Sequence, residues 1–418
     1  MKEEYDEKAA YMYGLGGFLL GFFCTGALAA GFALYEFGAR GNALGGAMVG
    51  RADDPSAIAF NPAGIVQIDG SAIQLGASFI LPKVDMDFTD GGRFSSEENI
   101  WIPPHFYYTK QLSDQSWFGL GVFSRFGLGT EFQPDWKGRY NSYYAAIKSV
   151  SVNPNYVRKI GENTSFALGI EAMWFEYESK KKLFPGVGDI DAKLKGDGTA
   201  YGWNVGIWQQ ASEKVRWGLA YKSEVEQKIK GEATFIKPDE TPPGYFPDTG
   251  ANAKITLPEM FFGGVCIQTG NKTTVELGVV RTNWSSYDKL EINYDDSLNP
   301  LDPSSNKTTS VKNYKDTWRY NVGVEWVTSP NWTWRVGYVY DESPIPDETI
   351  DYQLPANDRH IISLGFGYSE DDWNLDFSYS YLIIEDRHIY ERSSDGVYEG
   401  DLHNGQTHIV GITYTRYF

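Results

Sequence analysis

The chain has 418 residues, of which 16% are aromatic, 22% are charged and 45 are glycine, and its formal net charge is −18. This charge argues against nucleic acid or an anionic membrane leaflet as a partner. The carboxylates are better explained as acidic loops that keep an outer rim soluble. Mean hydropathy is negative although long apolar faces are present, as expected where only every second residue meets an apolar environment.

The N-terminus contains one long apolar run, residues 12–30, which ends in small residues. It predicts a secretory signal peptide over residues 1–29, cleaved after Ala29 or Ala30. The preceding residues 2–8 are acidic where a signal is basic, so either translation starts further in, at Met12 for example, or the leader is unusual. The alternative is a retained N-terminal anchor helix.

Residues 30–70 do not alternate and are rich in glycine and alanine, with enough leucine, isoleucine and phenylalanine to pack. If the following strands close into a wide barrel, its lumen would leak unless it were filled, and a compact segment of small residues can fill it. We therefore expect an N-terminal hatch inside the lumen. A periplasmic tail is the alternative, although such tails are more polar and contain less glycine.

Fourteen stretches of alternating apolar and small or polar residues run from Ser71 to Phe418, with breaks that are alternately short and long. Outer-membrane barrels have this plan, with tight periplasmic turns and larger extracellular loops. The fold class is therefore all-β, a transmembrane antiparallel β-barrel of about 14 strands over residues 71–418. The short breaks are residues 113–115, 161–163, 212–214, 270–272, 329–331 and 370–372; the long ones are roughly 82–99, 129–143, 181–199, 232–251, 294–310, 343–358 and 391–403.

Near the C-terminus the two faces of each strand can be assigned residue by residue. Trp318, Tyr320 and Trp326 are predicted to face lipid, while Arg319 and Glu325 face a wet or crowded interior. The same alternation recurs in the stretches that begin at positions 332 and 373. The aromatic residues flank the strands as an interfacial girdle, whereas a soluble sandwich would scatter them through its core.

No enzyme signature is found, so we expect no catalytic residue, no metal and no cofactor. The five histidines lie far apart or at spacings that no common metal motif uses, and none accompanies a nucleophile motif. The cysteines are Cys24 and Cys266, and the first lies in the predicted signal peptide, so no disulfide is expected in the mature chain. The histidines are His105, His360, His388, His403 and His408.

A series of short motifs points to one family. They are residues 30–36 (AGFALYE), 39–47 (ARGNALGGA), 53–56 (DDPS), 61–64 (NPAG), 136–140 (WKGRY), 257–260 (LPEM), 313–319 (NYKDTWR), 341–346 (DESPIP) and 354–360 (LPANDRH). In this order and spacing the chain resembles the outer-membrane long-chain fatty acid transporters of the FadL type, which include the toluene-uptake porins. The resemblance covers essentially everything after the signal peptide.

This resemblance implies a fourteen-stranded monomeric barrel with an N-terminal hatch, hydrophobic substrate captured outside and passive diffusion inward. It implies that hatch residues Asn61, Pro62 and Ala63 lie near a lipid-accepting pocket. It also implies an inward kink in the third strand, where Gly119, Gly121 and Gly127 are the candidates because a bend in a strand favours glycine. The alternative is that these glycines allow close packing against the plug.

A fatty acid would need a cation to orient its carboxylate. Lys315 is the leading candidate, because the NYKDTWR segment appears to match a family pocket lysine; alternatively Lys315 forms a surface ion pair with Asp316. Lys180 and Lys182, at the outer end of the fifth strand, are further candidates. The apolar residues Leu183, Phe184, Pro185 and Val187 beyond them would suit a landing groove for an amphipathic ligand.

The sequence therefore favours a transporter of hydrophobic compounds in the bacterial outer membrane, with long-chain fatty acids as the main substrate. Its other partners are outer-membrane lipid and lipopolysaccharide. Uptake of aromatic hydrocarbons such as toluene is one alternative, since toluene needs only an apolar wall. A structural or receptor barrel that acts through its acidic loops is the other, although such a barrel would not require a plug.

Overall fold

The computed structural model describes residues 31–184, 186 and 188–418, so the predicted signal peptide and two of the predicted groove residues, Pro185 and Val187, lie outside the described residues. Within this part of the chain, no helix is long and apolar enough to cross a membrane. The helices are α1 (Ala39–Ala43), α2 (Ala57–Phe60) and five 3-10 turns, Pro62–Gln67, Lys137–Tyr140, Trp284–Ser286, Pro303–Asn306 and Ser393–Asp395.

Twenty-one strand segments make up one sheet among the described residues. They are β1 (Ser71–Phe88), β2 (Arg93–Ser95), β3 (Pro104–Ser113), β4 (Ser116–Phe123), β5 (Gly127–Glu131), β6 (Tyr144–Lys159), β7 (Thr164–Leu183), β8 (Ile190–Ser212), β9 (Val215–Lys222), β10 (Val225–Ile236), β11 (Thr249–Leu257), β12 (Met260–Gln268), β13 (Thr273–Thr282), β14 (Lys289–Tyr294), β15 (Lys307–Val311), β16 (Thr317–Val327), β17 (Trp332–Asp341), β18 (Arg359–Glu370), β19 (Trp373–Ile384), β20 (Arg387–Ile389) and β21 (Gly400–Tyr417).

These segments form the predicted closed barrel of 14 antiparallel strands. Nine barrel strands are single segments, and five are split in two: the third (β4 and β5), seventh (β9 and β10), eighth (β11 and β12), ninth (β13 and β14) and tenth (β15 and β16). The short strands β2 and β20 belong to outer loops. Closure comes from β1 and β21, which pair from Ala72 with Tyr417 to Phe88 with Gly400.

The six short breaks are all tight turns between consecutive barrel strands, as predicted. Five of the seven long breaks were predicted too wide, most clearly residues 181–199, where β7 continues to Leu183 and β8 begins at Ile190. In this hairpin the outward face carries Glu178, Lys180 and Lys193 instead of apolar residues. Strands that rise above the lipid have no apolar outer face, so their alternation was hidden from a hydrophobicity pattern.

The predicted strand faces are confirmed. Arg319 and Glu325 are buried in the interior, while Trp318 and Tyr320 lie exposed on the outer surface. The outer aromatic rings form a contact series around the barrel, with centroids 5.0 Å apart for Trp203 and Tyr221 and 4.9 Å for Tyr221 and Phe261. We call these rings, together with Trp318, the upper aromatic belt.

The N-terminal segment, residues 31–70, lies inside the barrel and leads directly into β1. Its strongest anchor is Glu276 on β13, which is fully buried. This carboxylate accepts hydrogen bonds from the backbone N–H groups of Val49, Gly50 and Arg51 at 2.7, 2.9 and 2.8 Å. A barrel-wall carboxylate therefore satisfies three successive amides of the hatch.

An ion-pair network joins the hatch to the wall. Arg40 contacts Asp53 at 2.8 Å, Asp54 at 3.2 Å and Glu325 at 3.0 Å. Glu325 is shared with Arg51 at 2.8 Å and Arg335 at 2.7 Å. Each charged group of this network has a partner of opposite sign. The hatch can therefore place these charges inside the lumen without leaving any of them unpaired.

The splits in the seventh to tenth barrel strands lie side by side and divide this wall into a lower and an upper set of four strands. Below the splits, β9, β12, β13 and β16 pair in that order; above them, β10, β11, β14 and β15 do so. Pro258, at the split of the eighth strand, has no N–H for the ladder, which favours a break there. We call the upper four strands the outer block.

Replacing Glu276 with alanine is expected to loosen the hatch while leaving the barrel folded. Three buried amides would lose their acceptor, at about 1–3 kcal/mol for each unsatisfied group. The expected result is a several-fold rise in ion conductance in planar bilayers, with the folded barrel checked by heat-modifiable gel migration. Glu213→Ala, in an exposed periplasmic turn, is the control; wild-type conductance in folded Glu276→Ala would contradict the anchoring role.

Candidate functional site: an outer vestibule above a closed path

The outer block has two chemically different faces. Its inner face is apolar and forms one wall of a vestibule of about 910 Å³ that opens toward the extracellular side. The apolar side chains that line this vestibule come from the outer block, the β7–β8 hairpin and the loops above; they are Leu183, Phe184, Leu194, Phe235, Phe246, Leu290, Ile292, Tyr294 and Leu298. The vestibule is therefore suited to an acyl or aromatic ligand.

Polar groups gather at the opposite side of this vestibule. The Lys312 side chain is only 5% exposed, and its ammonium lies 2.7 Å from the Asp351 carboxylate, which comes from the loop between β17 and β18. Asp351 lines the vestibule, and so does Lys181, which by strand alternation shares a face with Tyr177. The Tyr177 hydroxyl donates to Gln353 at 3.3 Å. Two lysines thus face one loop carboxylate.

Aromatic rings close the path below this vestibule. Tyr287 and Tyr314 meet edge to face at 5.1 Å, and Tyr314 lies 5.9 Å from Trp284. Phe32 from the hatch contacts both Trp284, at 4.7 Å, and Tyr287, at 5.5 Å. All these side chains are buried, so Phe32 and the three rings form a closed aromatic cluster below the vestibule.

The hatch also enters the barrel wall at the split of the third strand. Leu34 donates its N–H to the Arg125 carbonyl at 2.8 Å, and Gly127 donates to the Phe32 carbonyl at 2.9 Å. Ala33 and Phe126 thereby form an isolated antiparallel bridge. The start of the hatch therefore acts as a short extra strand where the wall is interrupted.

A second group of charges lies beside this split. Arg125 donates to Glu171 at 2.5 Å, and both side chains are almost completely buried. Lys222 at the end of β9 is 2% exposed, and its ammonium lies 4.9 Å from the centre of the Phe123 ring. Two cations and one carboxylate are therefore held in a largely aromatic environment, an arrangement that favours one further anion.

The three lysines predicted as carboxylate anchors differ in their surroundings. Lys315 lies exposed at the outer surface, three residues from Trp318, while Lys312 points inward. Lys180 and Lys182 border the same vestibule as Lys181. Each has a carboxylate partner, since Lys180 lies 3.7 Å from Glu178 and Lys182 lies 2.5 Å from Asp191. Strand alternation places Lys181 on the opposite face of β7 from these two lysines.

The glycines of the third strand have two roles. A Cβ at Gly119 would lie 2.9 Å from Ile58, and one at Gly121 would meet the same side chain at 2.9 Å, so these two glycines allow close packing against the hatch. Gly127 is different, because it is the first residue after the split and bonds the Phe32 carbonyl. The interruption itself comprises residues 124–126.

Asn61, Pro62 and Ala63 pack against the barrel wall. The Asn61 amide donates to the carbonyls of Val49 and Ile207 at 3.1 and 3.0 Å and accepts from the Ala63 N–H. Pro62 begins the 3-10 turn, where its missing N–H costs nothing. These residues set the conformation and position of the hatch. The charged groups beside the third strand, Arg125, Glu171 and Lys222, belong to the barrel wall.

Sequence reasoning missed Lys312, Lys222, Arg125 and Phe32. Lys312 precedes a change of direction at Asn313, whose φ of +49° breaks the alternation between β15 and β16. Arg125 sits in the split of a strand, where no face can be assigned. Two of these residues each had one usable signal in the sequence. Phe32 is a large aromatic residue in a glycine-rich hatch, and Lys222 is in line with lumen-facing residues.

Comparison with known proteins agrees with this architecture. The family model described as "Outer membrane protein transport protein (OMPP1/FadL/TodX)" matches residues 21–418. A long-chain fatty acid transport protein from Escherichia coli O6:H1 is 27% identical over 405 residues, covering 86% of this chain and 88% of that protein.

Two solved structures share the fold. The crystal structure of a Pseudomonas aeruginosa FadL homologue has a TM-score of 0.81 at 20% identity and covers 93% of this chain and 100% of its own. That of the Ralstonia pickettii toluene transporter TbuX has a TM-score of 0.72 at 17% identity, with 92% and 100% covered. Since the family model spans nearly the whole chain, the protein belongs to the OMPP1/FadL/TodX family of outer membrane transport proteins.

Proposed function

We propose that this barrel carries long-chain fatty acids across the outer membrane as a monomer, by capture in the vestibule and passive movement past the hatch, without an enzymatic step. The observation that carries the proposal is a vestibule with an apolar wall and a polar side, where Asp351 is paired with a buried lysine, Lys312. An amphipathic ligand with one anionic end matches both features. The Escherichia coli relative is named a long-chain fatty acid transport protein, which supports the same substrate class.

The apolar wall supplies the affinity in this proposal. Each methylene that leaves water contributes about 0.8 kcal/mol, so even part of a long acyl chain gains several kcal/mol. Phe235, Leu290 and Ile292 offer side chains that already face the vestibule. Little reorganisation is then needed to accept the chain.

The Lys312–Asp351 pair supplies the orientation. Asp351 belongs to a loop, whereas Lys312 follows a barrel strand, so the carboxylate is the partner more easily withdrawn. An incoming carboxylate that takes its place leaves the buried ammonium paired, which avoids the cost of an unpaired internal charge. Asp351 thus acts as an internal substitute for the substrate head group.

Lys222 and Arg125 form the second stop for the same carboxylate. They lie beside the split in the third strand, where Phe32 and Leu34 of the hatch enter the wall. Displacement of Phe32 would connect the vestibule with this position. With Glu171 as the one carboxylate of the group, an arriving anion balances the second cation.

Uptake of aromatic hydrocarbons is the second candidate, and one observation favours it. The closed path is lined by Phe32, Trp284, Tyr287 and Tyr314 in edge-to-face contact, a geometry that also suits a flat aromatic ligand. Structural neighbours include a toluene transporter. A neutral aromatic would not use the buried lysines, and this separates the two candidates.

Binding to the purified, detergent-folded barrel distinguishes these substrates. We expect oleate, measured at a pH where it is ionised, to bind at least tenfold more tightly than oleyl alcohol, because only the acid replaces Asp351 at Lys312. Toluene should bind weakly. Saturable toluene binding with oleate no better than oleyl alcohol would instead assign the protein to hydrocarbon uptake.

Lys312 and Lys315 give a matched pair of variants. Lys312→Met combined with Asp351→Asn removes the buried pair without stranding a charge, and we expect oleate affinity to fall about 10- to 100-fold, since a hydrogen bond to a charged group contributes about 1.5–3 kcal/mol. Lys315→Met is expected to change it less than twofold, because that side chain is exposed. If Lys315→Met were the variant that lost binding, the carboxylate site would lie at Lys315.

Phe32→Ala should open the path without releasing the rest of the hatch. Glu276 and Arg40 still hold residues 40–51, so the barrel should stay folded. We expect faster oleate uptake into proteoliposomes and a higher basal conductance. Phe79→Ala, which removes the same ring from the lipid-facing surface, is the control; unchanged uptake in Phe32→Ala would show that the path lies elsewhere.

A further inference from the structure

The outer face of the outer block is a polar surface that the transport path does not use. Lysines project from each of its four strands: Lys228 and Lys230 from β10, Lys254 from β11, Lys289 from β14 and Lys307 from β15. They point away from the vestibule, because Ile229, Ile255 and Leu290 occupy the alternate, inward positions. We call this surface the lysine face.

We propose that the lysine face binds the phosphorylated inner core of lipopolysaccharide. Its position supports this partner. The seventh, eighth and tenth barrel strands carry Tyr221, Phe261 and Trp318 of the upper aromatic belt, and the lysine face continues outward from them on the same strands. Aromatic belts mark the membrane interface, so the surface just beyond them faces the head groups of the outer leaflet.

The charge arrangement leaves cations available. Glu226 is shared by Lys254 at 2.6 Å and Lys228 at 4.0 Å, and Glu291 is shared by Lys307 at 2.7 Å and Lys289 at 3.6 Å. Each of these two carboxylates therefore serves two ammonium groups, while Glu232, Asp288 and Asp295 are the other carboxylates of this surface. The four lysine side chains are 79%, 61%, 53% and 47% exposed for positions 228, 254, 289 and 307. They can reach a phosphate without losing the glutamate contact.

The shape of the lysine face suits a sugar phosphate. A depression of about 890 Å³ lies between its strands, with Asp288, Glu291 and Asp295 among its edges. Lysines supply charge for phosphate, while amide and hydroxyl groups supply hydrogen bonds for sugar hydroxyls. The lysine, amide and hydroxyl side chains that line it are Lys228, Lys230, Lys254, Lys289, Asn252, Asn293, Thr256 and Ser286.

The opposite part of the outer rim carries exposed negative charges. Asp87, Glu385 and Asp401 lie exposed or half-exposed near the outer ends of barrel strands 1, 13 and 14. On a chain with a net charge of −18, such a surface repels phosphate. The lysine face is therefore the side on which phosphate can approach without a bridging metal ion. This inference does not depend on which hydrophobic compound is carried.

The test uses the full-length barrel in detergent and purified rough-type lipopolysaccharide, with and without enzymatic removal of its phosphates. The variant Lys228→Gln/Lys254→Gln/Lys289→Gln removes three exposed charges and keeps side-chain length. The control Lys110→Gln/Lys214→Gln/Lys272→Gln removes three exposed charges at the periplasmic end. Affinity is measured by titration, stoichiometry by native mass spectrometry, and folding by heat-modifiable migration.

We expect the lysine-face variant to bind phosphorylated lipopolysaccharide at least tenfold more weakly than wild type, and the control to differ less than twofold. Dephosphorylated lipopolysaccharide should bind weakly to the lysine-face variant and to the control, with equal affinity. Wild-type affinity in the lysine-face variant, or equal wild-type affinity for both forms, would overturn the proposal. So would a lysine-dependent dimer without bound lipopolysaccharide. Unchanged oleate binding by the variant keeps this result separate from the transport function.

Discussion

Strand alternation in a closed sheet is the constraint on which the rest of this molecule depends. Every side chain of a barrel strand faces either the interior or the surroundings, and a shift of one residue exchanges the two. Lys181 therefore lies on the opposite face of β7 from Lys180 and Lys182, which form ion pairs with Glu178 and Asp191. In the outer block the same rule yields an apolar inner face and a charged outer face on four strands. One layer of strands therefore separates the apolar wall of the vestibule from the lysine face.

Filling the lumen is the second requirement, and it is met by apolar packing of the hatch together with specific polar contacts. Glu276 binds three hatch amides, and Arg40 joins two hatch carboxylates to Glu325 of the wall. Small residues let the backbone approach closely enough for this; a Cβ at Gly218 would lie 2.4 Å from the Val49 carbonyl. The plug is thus specified by complementarity between individual groups, and it stays in place although little of it is regular structure.

Local sequence patterns were sufficient to predict the barrel strands and turns, but they did not identify the buried residues Lys312 and Phe32. Six turns, fourteen strands and the faces around Trp318 and Arg319 could be predicted, because each depends on residues that are neighbours in sequence. The strands above the lipid were mistaken for loops, since their outer face is polar. Lys312 could not be separated from Lys315 because the positive φ of Asn313 breaks the alternation between them. The Glu276 and Phe32 contacts join residues over 200 positions apart, a distance that no local pattern reports.

The backbone bridge between the hatch and the third strand sets how often the path is open at rest. Moving Phe32 and Leu34 away from the split breaks two backbone hydrogen bonds inside the barrel wall, where water does not readily replace them. At about 1–2 kcal/mol each, the closed arrangement is favoured by roughly 3 kcal/mol, a population ratio of about one hundred to one. Counted from these two bonds alone, the open arrangement is populated about one time in a hundred, and under the proposed function a bound ligand that gains several kcal/mol offsets that difference.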